Sequence, residues 1–147
     1  PDRKFLGCEV LLLNGAGMAA GDVNGDGLCD LYFCHSYGSN ALYLNRGDWR
    51  LEPVPNAGGA ACAFQVSSGS AFADLDGDGD LDLLVNTIGQ GTHLFLNDGE
   101  GHFEKSPTPL NQGQGGMTAA LADIDADGRN ELAKWQKVVK DGNVKPE

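Results

Sequence analysis

Residues 22–31 read Asp-Val-Asn-Gly-Asp-Gly-Leu-Cys-Asp-Leu, and residues 74–83 read Asp-Leu-Asp-Gly-Asp-Gly-Asp-Leu-Asp-Leu. The second stretch begins 52 residues after the first, and residues 22–52 lie on 74–104 without a gap. Leu42, Leu44, Asn45, Gly47 and Glu52 fall on Leu94, Leu96, Asn97, Gly99 and Glu104. A third copy, Ala-Leu-Ala-Asp-Ile-Asp-Ala-Asp-Gly-Arg-Asn-Glu-Leu-Ala, begins 49 residues after its counterpart at Ala71. A self-match at one fixed spacing marks an array of structural units rather than a single irregular domain.

Within each unit, short runs of strand-forming residues alternate with turn signals, and no helical period is sustained. A first strand precedes each acidic stretch, at Met18–Gly21, Ser70–Ala73 and Ala119–Ala122, and its residues are mostly small. Small side chains suit strands crowded near a central axis. A second strand follows, at Leu31–His35 and Leu83–Thr87, rich in the aromatic and branched residues that fit a buried sheet. The third is Ala41–Leu44 or His93–Leu96, and Asn-Arg-Gly-Asp or Asn-Asp-Gly-Glu turns it into a fourth around Leu51 or Phe103. Four strands in about 50 residues is one blade of a β-propeller. The expected fold is therefore all-β, with two and a half to three four-stranded blades of a larger ring. Phe5 to Leu13 reads as the outer strand of a preceding blade. The repeats occupy residues 1–131, with acidic loops at 22–30, 74–82 and 123–131, and 132–147 departs from the pattern. Leu132-Ala133-Lys134-Trp135 stands where a Leu-Tyr-Phe strand is due, so the tail is either an incomplete third blade or sequence of another origin.

The acidic loops also govern the charge. Against 10 Lys+Arg stand 21 Asp+Glu, for a net charge of −11. Twelve of those carboxylates sit in the three loops: Asp22, Asp26, Asp30, Asp74, Asp76, Asp78, Asp80, Asp82, Asp123, Asp125, Asp127 and Glu131. Such crowding is unfavourable unless a cation sits among the carboxylates. An acidic chain of this kind does not bind nucleic acid, which demands a basic surface. No apolar run approaches the roughly 18 residues that span a bilayer, so membrane insertion is not expected. Pro1 opens the chain without a signal-peptide pattern, as a mature or trimmed chain would. Cys8, Cys29, Cys34 and Cys62 are an even number without a C-x-x-C pair, which leaves one or two disulfides or four buried thiols.

Calcium takes six to eight oxygen ligands at about 2.3–2.6 Å, from carboxylates, amide oxygens and backbone carbonyls. The loop pattern D-x-[DN]-x-D-G-x-x-D offers oxygens at positions 1, 3 and 5, a carbonyl at 7 and a carboxylate at 9. Glycine at position 6 permits the sharp turn around the ion. Loop one supplies Asp22, Asn24, Asp26, the Leu28 carbonyl and Asp30; loop two supplies Asp74, Asp76, Asp78, the Asp80 carbonyl and Asp82. Loop three supplies Asp123, Asp125, Asp127, the Arg129 carbonyl and Glu131, whose longer side chain makes a weaker site. An EF-hand needs a bidentate acid at position 12, where Phe33, Val85 and Lys134 stand, so that alternative fails in all three loops.

Units of the form A-x-A-D-[LIV]-[DN]-G-D-G-x-x-D-L followed by L-[YF]-L-N-x-G-x-G-x-F resemble FG-GAP/VCBS repeats. Gly21-Asp22 to Phe33 and Leu94 to Phe103 carry the likeness, which extends over about residues 5 to 131. It implies a propeller of about seven blades like that of integrin α-subunits, bound calcium, and a secreted, periplasmic or cell-surface location. Leu28-Cys-Asp-Leu-Tyr-Phe-Cys34 together with Ala57-Gly-Gly-Ala-Ala-Cys-Ala-Phe64 is similar to bacterial members of the ASPIC/UnbV group, relatives of cartilage acidic protein.

No residues group into catalytic machinery. His35, His93 and His102 have no Ser or Cys partner in a nucleophile motif, and the Gly113–Gly116 stretch lacks a phosphate-binding lysine. Arg46-Gly47-Asp48 spells an adhesion tripeptide, yet it occupies the hairpin position of Asp98-Gly99-Glu100, where glycine serves geometry. Trp49 and Trp135 offer rings that could stack on a sugar, although isolated aromatics more often serve simple packing. Two functions remain. One is a non-enzymatic binding or adhesion scaffold for a protein or glycan, with Ca²⁺ stapling each blade and further blades or other copies of the chain completing the ring. The other is a non-catalytic segment of a larger secreted enzyme acting on polysaccharide or lipid.

Overall fold

The computed structural model of the chain describes residues 17–107 and Leu110. The strand expected at Phe5–Leu13, the third acidic loop and residues 132–147 lie outside the described residues. Eight strands form two four-stranded sheets, each an antiparallel meander. The first contains β1 (Met18–Gly21), β2 (Asp30–Phe33), β3 (Ala41–Asn45) and β4 (Leu51–Val54). The second contains β5 (Ser67–Ala73), β6 (Asp82–Thr87), β7 (Gly91–Asn97) and β8 (Phe103–Lys105). Four strands per repeat is the blade count expected from the sequence. β2 stops at Phe33, short of the expected His35, because the backbone leaves the sheet there: the His35 N–H turns to Asn40 Oδ1 at 2.7 Å.

Side-chain alternation gives each sheet two faces. One face of the first sheet carries Ala19, Tyr32, Leu42 and Leu44, and these join Leu83, Val85, Phe95 and Phe103 of the second in a single core. Phe72 bridges the two sheets, edge-on to Tyr32 with centroids 6.3 Å apart and stacked on Phe103 at 6.2 Å. Tyr32 is fully buried, and its hydroxyl has partners on both sides, donating to Ala60 O at 2.6 Å and accepting from Asn40 Nδ2 at 2.7 Å. A buried phenol without such partners would be costly.

Among the described residues, no strand or loop covers the opposite face of the first sheet. Met18 pairs with Phe33, Ala20 with Leu31, and Leu31 with Tyr43 across the strands, and Met18, Phe33 and Leu51 are exposed. The Phe33 and Tyr43 rings meet edge to face at 5.9 Å. Shifted by one repeat of 52 residues, Ala20, Leu31, Phe33, Tyr43 and Leu51 become Phe72, Leu83, Val85, Phe95 and Phe103. Those five are the residues by which the second sheet sits on the first.

The two sheets are close at one edge and spread at the other. The innermost strands β1 and β5 lie side by side, and a Cβ placed on Gly17 would fall 2.5 Å from the Gly69 Cα. Gly69 also sits at a register shift in the β5–β6 ladder, a common use of glycine within a strand. At the outer edge the segment Pro55–Gly59 packs against β3, β4 and β8 and fills the wider gap.

Cys29, Cys34 and Cys62 are free thiols, so the alternative of one or two disulfides is not realised among the described residues, and Cys8 lies outside them. Cys34 and Cys62 pack in or against the inter-sheet core, where burial raises both thiol pKa values, whereas Cys29 is exposed beside the first acidic loop.

Candidate functional site

Both described acidic loops join the first and second strands of a sheet, at the same end as the hairpins between the third and fourth strands. In loop one the chain curls around its own carboxylates. Asp22 accepts from the Asp26 N–H at 3.1 Å and the Gly27 N–H at 2.7 Å, while Asp26 accepts from the Leu28 N–H at 2.8 Å. Loop two repeats the design, with Asp74 accepting from Gly77 at 2.7 Å and Gly79 at 3.2 Å, and Asp78 from Asp80 at 3.0 Å. Position 6 is left-handed in both loops, at φ +82° for Gly27 and +100° for Gly79, and no atom lies within 4 Å of a Cβ built on either. Backbone conformation, not space, therefore calls for glycine there.

The structure brings Asp74, Asp76 and Asp78 together, with one carboxylate oxygen from each lying within 4.8 Å of the others. Asp22, Asn24 and Asp26 hold the corresponding places in loop one, with Asn24 Nδ2 donating to Asp26 Oδ2 at 3.1 Å. Such all-oxygen sets, borne on backbone that is already curled, fit a hard cation such as calcium. The Asp80 side chain turns away from this cluster and lies against Gly99 of the β7–β8 hairpin. Asp123, Asp125, Asp127, Arg129 and Glu131 lie outside the described residues.

Position 9 has a role beyond the one read from the spacing. Asp30 and Asp82 are fully buried, and both oxygens of each accept backbone N–H groups. Asp30 takes Val23 at 3.0 Å and Asn45 at 2.8 Å; Asp82 takes Leu75 at 2.8 Å and Asn97 at 3.0 Å. Each carboxylate thus ties the start of its loop to the end of the third strand. Burial raises both pKa values, opposed by these backbone hydrogen bonds, and neighbouring loop carboxylates push the same way as burial.

Asn97 was not singled out by its sequence context, although the Leu-x-Leu-Asn shared by Asn45 and Asn97 was the available signal. Its side-chain amide donates to Leu81 O at 3.0 Å and to Val23 O at 2.8 Å, so it joins the second sheet to the first loop. Asp98, Glu100 and His102 form a second, exposed group on the β7–β8 hairpin, where His102 Nδ1 already pairs with Asp98 at 3.0 Å. The Arg46-Gly47-Asp48 tripeptide forms the β3–β4 hairpin: Arg50 N–H bonds Gly47 O at 3.0 Å, and Arg46 pairs with Glu52 at 2.7 Å.

Comparison with known proteins agrees with this geometry. The FG-GAP-like repeat family matches at residues 22–85 and again at 74–133, spanning all three acidic loops. Cartilage acidic protein 1 of Xenopus tropicalis is 26% identical over 128 residues, covering 80% of this chain and 19% of that protein. The chain therefore spans about a fifth of the length of this relative. With two four-stranded sheets built on two consecutive, overlapping matches, the chain belongs to the FG-GAP-like repeat family.

Proposed function

We propose that the chain is a non-catalytic, extracellular binding scaffold in which Ca²⁺ holds each acidic loop closed. The observation that carries this reading is the convergence of Asp74, Asp76 and Asp78 on a backbone already wrapped for them. Three carboxylates in such proximity repel one another, and a divalent cation removes that repulsion. Asp22, Asn24, Asp26 and the Leu28 carbonyl would hold the ion in the first loop; Asp74, Asp76, Asp78 and the Asp80 carbonyl would hold it in the second. Asp30 and Asp82 would add an oxygen lone pair while keeping their backbone partners, since a carboxylate has about four acceptor sites. Bound there, calcium supplies charge neutralisation and a fixed loop shape, with no chemical step. Family membership and the likeness to cartilage acidic protein 1 support placement outside the cell. No helix among the described residues is long and apolar enough to cross a membrane.

Isothermal calorimetry on the chelator-stripped chain tests this directly. Calcium uptake is expected, with one site lost in Asp26→Ala and another in Asp78→Ala. Magnesium should compete poorly, because it demands tight octahedral geometry and keeps its waters. Absence of uptake at millimolar calcium would sink the reading.

A further inference from the structure

The described residues are divided by charge. Every Asp and Glu between residues 17 and 107 lies in or bordering an acidic loop, in a β3–β4 or β7–β8 hairpin, or in β4 or β8. Residues 33–44, 53–73 and 83–97 contain no Asp, Glu, Lys or Arg at all. They supply the upper parts of the sheets and the loops at the end opposite the acidic loops. Hydrogen bonds unite those loops into one surface. Asn40 N–H donates to Ala61 O at 2.7 Å, Ser67 N–H to His35 O at 3.3 Å, Ile88 N–H to Val66 O at 2.9 Å, and Gln65 Nε2 to Gln90 Oε1 at 2.6 Å.

Two aromatic rings project from this uncharged surface: Tyr37 is 63% exposed, and Phe64 is as exposed as a free side chain, at 103%. Phe64 is held at φ +67° and nearby Cys62 at +46°, left-handed conformations that glycine adopts without strain. A fully solvated aromatic at a strained position gains nothing from burial, so packing does not explain it.

We propose that this end of the array is a docking surface for an uncharged glycan chain, with Tyr37 and Phe64 as stacking rings. The assignment names the partner class of the binding scaffold above and rests on that reading. Sugar rings present C–H faces that lie on aromatic rings, while their hydroxyls match exposed amides and hydroxyls such as Ser39 and Gln90. Polyanions are disfavoured by a net charge of −11, and cationic partners are drawn to the opposite, acidic end. Protein partners are steered and set in register by charged pairs, and this surface offers none.

The test is calorimetric titration of the full chain, in saturating calcium, with neutral glucan, mannan and chitin oligosaccharides, beside sulfated chains as controls. At least one neutral series binds, and its affinity is unchanged between ~0.05 and ~0.5 M salt, where charge-driven binding would fall. Phe64→Gly weakens that binding by about tenfold or more while holding or raising the melting temperature, because it relieves the left-handed strain. Tyr37→Ala weakens binding as well, and Asp48→Asn on the opposite end leaves it unchanged. Binding of sulfated chains alone, binding undiminished in Phe64→Gly, or no glycan binding would overturn the assignment. If calcium uptake is normal in that last case, the glycan assignment fails while the calcium scaffold stands.

Discussion

The Asn97 side-chain amide donates to the Val23 carbonyl at 2.8 Å, joining residues 74 positions apart in different sheets. The same amide holds Leu81 O, and its oxygen accepts the Gly101 N–H at 3.1 Å. Asn97→Ala would strand these buried groups together, at about 1–3 kcal/mol for each that stays unsatisfied. Among the described residues, the Asn45 side chain accepts the Gly47 N–H at 3.1 Å and makes no bond to the second sheet. Urea unfolding should therefore show Asn97→Ala clearly less stable than Asn45→Ala; equal losses would mean that the inter-sheet bond contributes nothing.

The acidic residues divide into two classes that calcium removal can separate. Asp82→Ala should destabilise the protein even in chelator, by about 2–4 kcal/mol, since two buried N–H groups lose a charged acceptor. Asp78→Ala should change the chelated protein little, because Asp78 is exposed and its loss relieves repulsion within loop two. In calcium the order alters: Asp78→Ala loses the stabilisation that ligand binding brings, about 2.7 kcal/mol at 100 times the dissociation constant. Melting curves of both variants with and without chelator give the four values required.

His93 makes the melt depend on pH. It is buried on the inter-sheet face with neither ring nitrogen hydrogen-bonded, and burial, aided by the Lys105 charge, lowers its pKa. The unfolded chain binds its proton first, near pH 6.5. Stability from this group is thus whole above about pH 6.5 and is lost as pH falls through the lower folded value. Asp30 and Asp82, with raised pKa values, act in the opposite sense at lower pH. His93→Leu should raise the neutral melting temperature and remove the fall just below pH 6.5. A wild-type melt that is flat from pH 7.5 to 5.5 would contradict this.

No described element covers the outward face of the first sheet. Its residues correspond, one repeat on, to those by which the second sheet sits on the first, so a further sheet of the same kind fits it. The isolated chain should self-associate or bind a hydrophobic dye through Leu31, Phe33 and Tyr43. Phe33→Glu should abolish that without lowering the melting temperature. A well-behaved monomer that binds no dye would show that the face is already satisfied.

Much of this was legible in the letters, and the reason is physical. The 52-residue echo forces equal strands, because the same alternation must be buried twice. Met18–Gly21 matches its strand residue for residue, and most other strands agree within one to three residues at an end. The convergence of Asp74, Asp76 and Asp78 was legible because the repeat spacing and the glycine at position 6 curl each loop around its carboxylates. The second task of Asp30 and Asp82 was hidden, since spacing shows which residues face a loop and not which backbone amides come back to meet them. Asn97 was hidden for a related reason: its partner Val23 is one whole repeat away, and proximity of that kind exists only after the sheets have docked. The cysteine count left disulfides and buried thiols equally open, because an even number suits both a bridge and small apolar fillers of a core, and only the packing decides.

The near-contact of Gly17 with Gly69 has a geometric consequence. Neighbouring sheets meet backbone to backbone along their inner strands, while Pro55–Gly59 wedges between their outer ones. This pair is therefore a tapered stave, and further pairs of the same taper would curve toward a hub. The angular step is set where two missing side chains let the main chains approach. A single methyl group at residue 17 would flatten that step, and a flatter step needs more staves to complete a circumference. The count of units in any closed assembly of this sequence is thus written less in its acidic loops than in two hydrogen atoms at its axis.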